Sequence, residues 1–448
     1  MATGSEGYAS LGATLKEVMA DGIAMIIPDQ CVLQKLTPFD KDPIMAGLKY
    51  VQPTLCRYPD GFSHVPAGTG PSALNPAKAG KVERAEIGSN SIYLVDTVDK
   101  DMIDRTKQDN GKYDKPAIKK ATAVIFPALI AAAKREDEIV AMYGQVGRGK
   151  VSYNGSAWSA NVVTVGGVTT IIVDKADWGP GLWVGSEGMD LSFFDDSLTS
   201  SAAPVFLGTA TLVAVNMDTR TLTLQANITA ALTGNTTAGS TFTIWRSSTR
   251  KPLSGTAQLS ESIGVQGILQ NQSVLFNIDA SQYNLYRSPQ FNVAAAMSIN
   301  KIMSLSSRAS YAGTSNGAVL LVPVDTWTDL ATNETTFRRW TDLNGALKIG
   351  ADALSFYGAS GLMAIKAHPM LKRGHAWLLN LNATSETPGG DIKRIGDCEW
   401  TYDNTNGDVL HYVPGLSGYE IRLKCNKAVF INPPGRSALA YGITDSQP

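Results

Sequence analysis

The stretch that most constrains this chain runs from Asp114 to Gly144, DKPAIKKATAVIFPALIAAAKREDEIVAMYG. Ile118, Thr122, Ile125, Leu129, Ala132, Ala133, Val140 and Tyr143 recur at steps of three and four, the spacing of one helix face. Pro116 suits a first helical turn, where its missing N–H would have no partner anyway. Pro127 falls inside the periodic run, and because the period continues on both sides it predicts a bend rather than an end. Gly144 is placed to supply a left-handed stop. About thirty residues at ~1.5 Å each make a rod of roughly 45 Å, longer than an ordinary globular helix. Such a rod belongs either to the core of a large enzyme or to a subunit that must span something.

At 448 residues the chain can bury a sizeable core and has room for two or three domains of roughly 150 residues. Charged residues make up 18% and the net charge is −1, so no overall basic field exists to grip nucleic acid. Cys31, Cys56, Cys398 and Cys425 are dispersed with no CxxC or Cys/His spacing, the pattern of reduced structural thiols. No apolar run reaches membrane length, and MATGSEGYAS lacks the basic-then-apolar order of a signal peptide. We therefore expect no membrane contact and synthesis in a cytoplasm.

Residues 1–45 read as an arm. Thr14 and Glu17 form a capping-box pair, and Leu15, Val18, Met19, Gly22 and Ile26 make a stripe on one short helix that cannot bury itself alone. Between Gly47 and Val98 two extended runs, LKYVQPTLCRY and KVERAEIGSNSIYLV, flank a segment rich in Pro and Gly. This predicts a long β-hairpin with a wide tip, marginal in water unless it packs on a partner. From about Lys150 to Arg246 the sequence alternates with period two, with turns at Gly166-Gly167 and Met217 to Arg220. An inserted all-β barrel or sandwich of roughly six to eight strands follows from that pattern. Its acids Asp174, Asp177, Glu187, Asp190, Asp195 and Asp196 suit a solvated surface and lack calcium-loop spacing. Beyond Lys251, α/β character returns. A helix is expected over Val293–Tyr311, with Ala295, Ile299, Ile302, Leu305 and Ala309 inward. A buried strand follows at AVLLVPV, and Tyr419 to Cys425 reads as a half-buried strand with Cys425 facing a core.

Two motif matches fail on context. Gly144 to Lys150 fits GxxxxGK, but Val151 replaces the magnesium-binding Ser/Thr, and a helix precedes it where a phosphate loop needs a strand. Gly313 to Gly317 fits GxSxG yet links a helix to a strand, the reverse of a nucleophile elbow, so Ser315 is a turn serine. His64, His368, His375 and His411 show no zinc spacing and read as loop and rim residues. Glu136, Asp137 and Glu138 are consecutive on the helix, so they fan out; they read as a solvated end or as partners for a neighbour's lysines. No acid, base and oriented nucleophile assemble, and neither catalysis nor a cofactor is expected.

The order of these parts is more specific than any one of them. Arm, projecting hairpin, a long helix ending in AAAKREDEIVAMYG, and an α/β remainder together resemble the major capsid proteins of tailed bacteriophages, the Hong Kong 97 fold. Asn300 to Leu330, a helix then VLLVPVDTWTDL, is similar to that family's link between its two main domains. AHPMLKRGHAWLL and GYEIRLKCNKAVFINPPG look like its later strands.

The resemblance implies an α+β subunit: an N-terminal arm over 1–45, an extended loop over 46–100, and the spine helix of a peripheral domain over 101–149. An inserted all-β domain over 150–250 and a central domain with the remaining peripheral strands over 251–448 complete it. It implies hexamers and pentamers in an icosahedral shell around phage double-stranded DNA, held without sequence-specific contacts. Inter-subunit contacts would involve Leu15, Val18, Met19, Phe62, Lys78, Lys81, Arg84, Glu136, Asp137 and Glu138. Lys78 and Lys81 lie near the hairpin tip, but no isopeptide acceptor can be matched, so no crosslink is expected. No long charged helical segment precedes the arm, which implies a separate scaffolding protein; portal and decoration proteins would be further partners. The virion is the implied location, after synthesis in a bacterial cytoplasm. The competing readings are an encapsulin-like nanocompartment shell, against which the acidic β insertion and the chain length argue, and a phage surface-binding adhesin, which would not need the spine.

Overall fold

The computed structural model describes residues 31–445 except 38, 42–48, 66–73, 89, 100–115, 154–160, 196–204, 234–239, 248, 254–255, 315–316, 334–353, 360, 382–390, 403–409 and 413–417. The long helix spans Pro116–Tyr143 and continues through Pro127. Among its described side chains Leu129, Ala133, Val140 and Tyr143 are buried on the expected face, while Ala132 is exposed. From Asp137 to Gly144 every residue is buried, so the last two turns are enclosed on all sides.

The helix does not stop as expected. The left-handed residue is Gln145, with φ of 66°. Gly144 is needed for a different reason: a Cβ there would stand 2.1 Å from the Ser262 carbonyl oxygen. The glycine lets the 260–264 loop lie directly against the helix, with the Gly264 N–H donating to the Gly144 carbonyl at 2.9 Å.

Four parts surround this helix end. The first is a seven-stranded antiparallel sheet in the order Gly149–Ser152, Thr241–Arg246, Asp190–Asp195, Val205–Asn216, Thr221–Leu224, Val168–Ile172, Val162–Val165. Gly166 and Gly167 (φ 61° and 83°) and Arg220 (φ 57°) sit in its hairpin turns, as their positions predicted. Its acids are less solvated than composition suggested. Asp195 is buried, Asp174 takes the Ser152 hydroxyl at 2.6 Å, and Asp177 pairs with buried Lys372 at 3.2 Å.

The second part is a five-stranded sheet in which Gly418–Ile431 pairs with Ile392–Tyr402, Leu410–Tyr412 and Asn90–Asp99. Ile421, Leu423 and Cys425 are buried in alternation with Arg422 and Lys424, as the period-two reading required. The run expected as one hairpin strand from Lys81 to Val95 is two strands. Lys81–Gly88 belongs to the projecting ribbon, and Asn90–Asp99 to this sheet.

The third part is a six-stranded sheet in the order Gln290–Ala295, Ala438–Ile443, His375–Leu379, Val319–Val322, Gly361–Ala367, Leu354–Gly358. Val319–Val322 is buried throughout. The helix expected from Val293 begins only at Ile299, after extended Ser298, and ends at Ser310; Val293 to Ala295 are strand. Ile302, Leu305 and Ala309 face the core, but Ala295 is exposed. The fourth part is the arm segment Cys31–Lys41. Its helix Val32–Leu36 buries Leu33, and Phe39–Lys41 adds a parallel strand beside Ile392–Tyr402. One apolar core joins the helix end, the seven-stranded sheet, one face of the six-stranded sheet and the root of the ribbon.

Candidate assembly interface

The ribbon pairs Lys49–Arg57 with Lys81–Gly88, from Lys49 opposite Gly88 to Arg57 opposite Lys81, with a bulge after Leu55. Its root is built into the body. Ala85 and Ile87 are buried, the Glu86 N–H donates to the Phe276 carbonyl at 2.9 Å, and the Tyr50 ring meets Phe430 edge-on at 5.4 Å. Thr54 Oγ1 accepts from Asn432 at 3.0 Å. Beyond Leu55 the body falls away. Asp60 and Lys78 still exchange both backbone hydrogen bonds, and Asn75 donates to the Phe62 carbonyl at 2.7 Å, so the strands remain paired. Their side chains, however, lack cover: Tyr58 is 79% exposed, Phe62 73%, Leu74 75% and Val82 58%. A row of large apolar groups on a paired, solvent-facing ribbon is the feature a folded monomer avoids.

Four residues expected at subunit contacts lie on this ribbon. Phe62 is bare; Lys78 stands 4.0 Å from Asp60, Lys81 pairs with Glu83 at 2.8 Å, and Arg84 is exposed. Leu15, Val18 and Met19 lie outside the described residues.

Glu136, Asp137 and Glu138 are placed quite differently, and the solvated-end reading is corrected. They do fan out, since each step along a helix turns the side chain by ~100°. Because the helix end is enclosed, each direction meets another part of the same chain. Glu136 bonds to Arg148 and, at 2.7 Å, to Arg246 of the seven-stranded sheet. Burial alone would raise the Glu136 carboxyl, but the Arg148 and Arg246 guanidiniums outweigh it and hold it at about 2. Asp137 reaches the five-stranded sheet, 2.7 Å from Lys427 and 3.7 Å from Arg394, and takes the Gln34 amide at 2.7 Å. Here burial prevails and raises the carboxyl despite Lys427. Glu138 accepts the Leu33 and Gln34 N–H groups at 2.5 and 3.0 Å and His368 Nε2 at 3.0 Å. The Met370 N–H donates to His368 Nδ1 at 3.1 Å, which leaves the ring proton on Nε2, facing the carboxylate. The three acids thus tie arm, sheets and helix together within one subunit.

His368 is likewise an interior residue rather than a rim residue, while His375 is half-buried. Burial lowers His375 to about 4, so it stays neutral. His64 and His411 are exposed and half-buried respectively. Gly144 to Lys150 joins a helix to a strand, as its rejection as a phosphate loop required, while Ser315 lies outside the described residues. Among the described residues no group of His, Cys, Asp or Glu could hold a metal ion, and no helix is long and apolar enough to cross a membrane.

No family model and no curated protein sequence matches this chain. Solved structures do. A chain of the cyanophage A-1(L) capsid asymmetric unit superposes with a TM-score of 0.53 over 97% of this chain and 98% of that one, at 10% identity. The chain has a capsid-protein fold. Weaker likenesses include the capsid of Myoviridae phage XM1 (TM-score 0.45, 7% identity, 96% of this chain and 98% of that one). The SrpI encapsulin of Synechococcus elongatus PCC 7942 also matches (TM-score 0.42, 7% identity, 100% and 98%).

Proposed function

We propose that this chain is the major coat protein of a tailed bacteriophage, assembling into hexamers and pentamers of an icosahedral shell around double-stranded DNA. The observation that carries the reading is the ribbon: its root is built into the body, its tip bares Tyr58, Phe62 and Leu74, and it stands on a capsid-protein fold. The finer assignments follow. The ribbon is the extended loop lying over the next subunit, with Phe62, Lys78, Lys81 and Arg84 in contact there, and Leu15, Val18 and Met19 of the arm make a second contact. Pro116–Tyr143 is the spine of a Hong Kong 97-type peripheral domain, and residues 150–250 form an inserted domain. Closed symmetry removes every exposed ribbon at once, and each contact should exceed ~1,000 Å² in total. A net charge of −1 suits a container that holds DNA without gripping it. A scaffolding protein, a portal and a decoration protein would complete the particle, made in a bacterial cytoplasm.

Electron microscopy of the purified chain, alone and with its scaffolding protein, tests this. Discrete shells or hexamer rings support it. A monodisperse monomer under both conditions overturns it.

A further inference from the structure

Glu261 lies in the loop between the small hairpin Arg250–Leu253/Thr256–Leu259 and the helix Val265–Gln270, half-buried beside a cavity of about 240 Å³. Four elements bring side chains to that cavity: Glu136 from the long helix, Arg246 from the seven-stranded sheet, and Tyr93 and Trp400 from two strands of the five-stranded sheet. Glu261 is also fastened to the end of the long helix. The Gln145 N–H donates to its carboxylate at 3.3 Å, and the Gln145 amide donates to its backbone carbonyl at 2.9 Å. Gln145 is the residue whose left-handed backbone ends that helix.

The charges here are unevenly shared. Both guanidiniums of the cluster, Arg148 from the loop after the helix and Arg246, bond to Glu136. Glu261 is left with the Gln145 N–H and the Thr249 hydroxyl. The other titratable group at the cavity is Tyr93. Burial pushes the Glu261 carboxyl up to about 7, Arg148 pulls it partly back, and the neighbouring Glu136 charge adds to the rise.

We propose that Glu261, Glu136, Arg148 and Arg246 form a proton-operated joint. A proton on Glu261 holds the 260–264 loop and the seven-stranded sheet against the end of the long helix, and its loss puts two carboxylates on one cavity and loosens that contact. The sign follows from linkage. Between pH 4.5 and about 7 the folded joint keeps a proton that the unfolded chain has released, so its stability falls as pH rises through that window. His375, lowered to about 4 from 6.5, has the opposite slope from pH 4 to 6.5, so a global melt would blur the effect. A local readout is required.

Hydrogen exchange of the full chain at pH 5.5 and 8.5, corrected for intrinsic rates, supplies it. The expected result is at least ~10-fold more opening of residues 144–148 and 260–264 at pH 8.5, a smaller step than a fully enclosed carboxyl would give because Glu261 is partly exposed. Glu261→Gln keeps an oxygen acceptor and should hold the low-pH protection at both values. Glu136→Gln removes the like charge and frees both arginines, which favours the Glu261 carboxylate, so the opening step should move to lower pH or vanish from the 5.5–8.5 interval. Exchange in the wild type that does not change with pH, or an equal step in Glu261→Gln, overturns the proposal. The measurement reads the isolated subunit and does not depend on whether it assembles.

Discussion

Glu138 shows how much one interior side chain can organise. A carboxylate shut away from water is costly unless its lone pairs are met, and here three donors from two distant segments meet it. Glu138→Ala would strand the Leu33 and Gln34 N–H groups and His368 together, so we expect a loss of ~3 kcal/mol or more. Denaturant unfolding would measure that loss, and limited proteolysis should show cleavage between Cys31 and Lys41 before the body is cut. Glu138→Gln, which keeps an acceptor, should lose less. Lys81→Ala on the exposed ribbon should leave the unfolding midpoint unchanged. Glu136 adds a pH signature. Its folded carboxyl lies near 2 against 4.5 unfolded, so its contribution is present above pH 4.5 and disappears as pH falls toward 2. The stability gap between wild type and Glu136→Gln should therefore be on the order of 3 kcal/mol at pH 6 and close to nothing at pH 2.

Between elements, the decisive feature is contact too close for any side chain. Gly144 sits 2.9 Å from Gly264 by hydrogen bond, and a methyl group at Gly144 would run into Ser262. Gly144→Ala should destabilise by ~1–3 kcal/mol or more through overpacking, read as a drop in Tm, even though alanine is the better helix former. Nothing in the one-dimensional pattern distinguishes a glycine that ends a helix from one that admits a loop, which is why spacing alone puts the stop one residue early. The periodic elements were legible: the long helix, the period-two strands of residues 162–246, the buried Val319–Val322 and the alternation through Cys425 all follow from spacing. The acids at 136–138 were not. Their fan-out was readable from helix geometry, but their partners, Arg148 and Arg246 at Glu136, Arg394 and Lys427 at Asp137, and the Leu33 and Gln34 N–H groups with His368 at Glu138, are brought together only by the fold. The stripe of Leu15, Val18 and Met19 lies outside the described residues, and nothing in the spacing announced that the segment Cys31–Lys41 docks on its own chain, through Glu138, Arg394 and the strand Ile392–Tyr402.

At the scale of the whole molecule, the ribbon tip is a surface that the described residues leave unfinished. Removing Phe62 to Ala79 should leave a soluble, folded body, since the root contacts through Ala85, Ile87 and Tyr50 remain, but it should abolish closed shells in electron micrographs. Unchanged assembly would exclude a clamping role for the tip. The chemistry of the tip also fixes how assembly responds to conditions. Burying Tyr58, Phe62 and Leu74 on a neighbour is worth ~2 kcal/mol per side chain before the cost of association is counted. The ion pairs nearby, Lys78 with Asp60 and Lys81 with Glu83, lie within one ribbon and are exposed, so they contribute little between subunits. An association driven by apolar burial weakens on cooling and is nearly indifferent to salt. Light scattering should then give a higher threshold concentration for assembly at 4 °C than at 30 °C, with little change between 50 and 300 mM salt. A threshold that falls on cooling, or rises steeply with salt, would mean that charged contacts outside the ribbon carry the shell, and the role assigned to Tyr58, Phe62 and Leu74 would have to be given up.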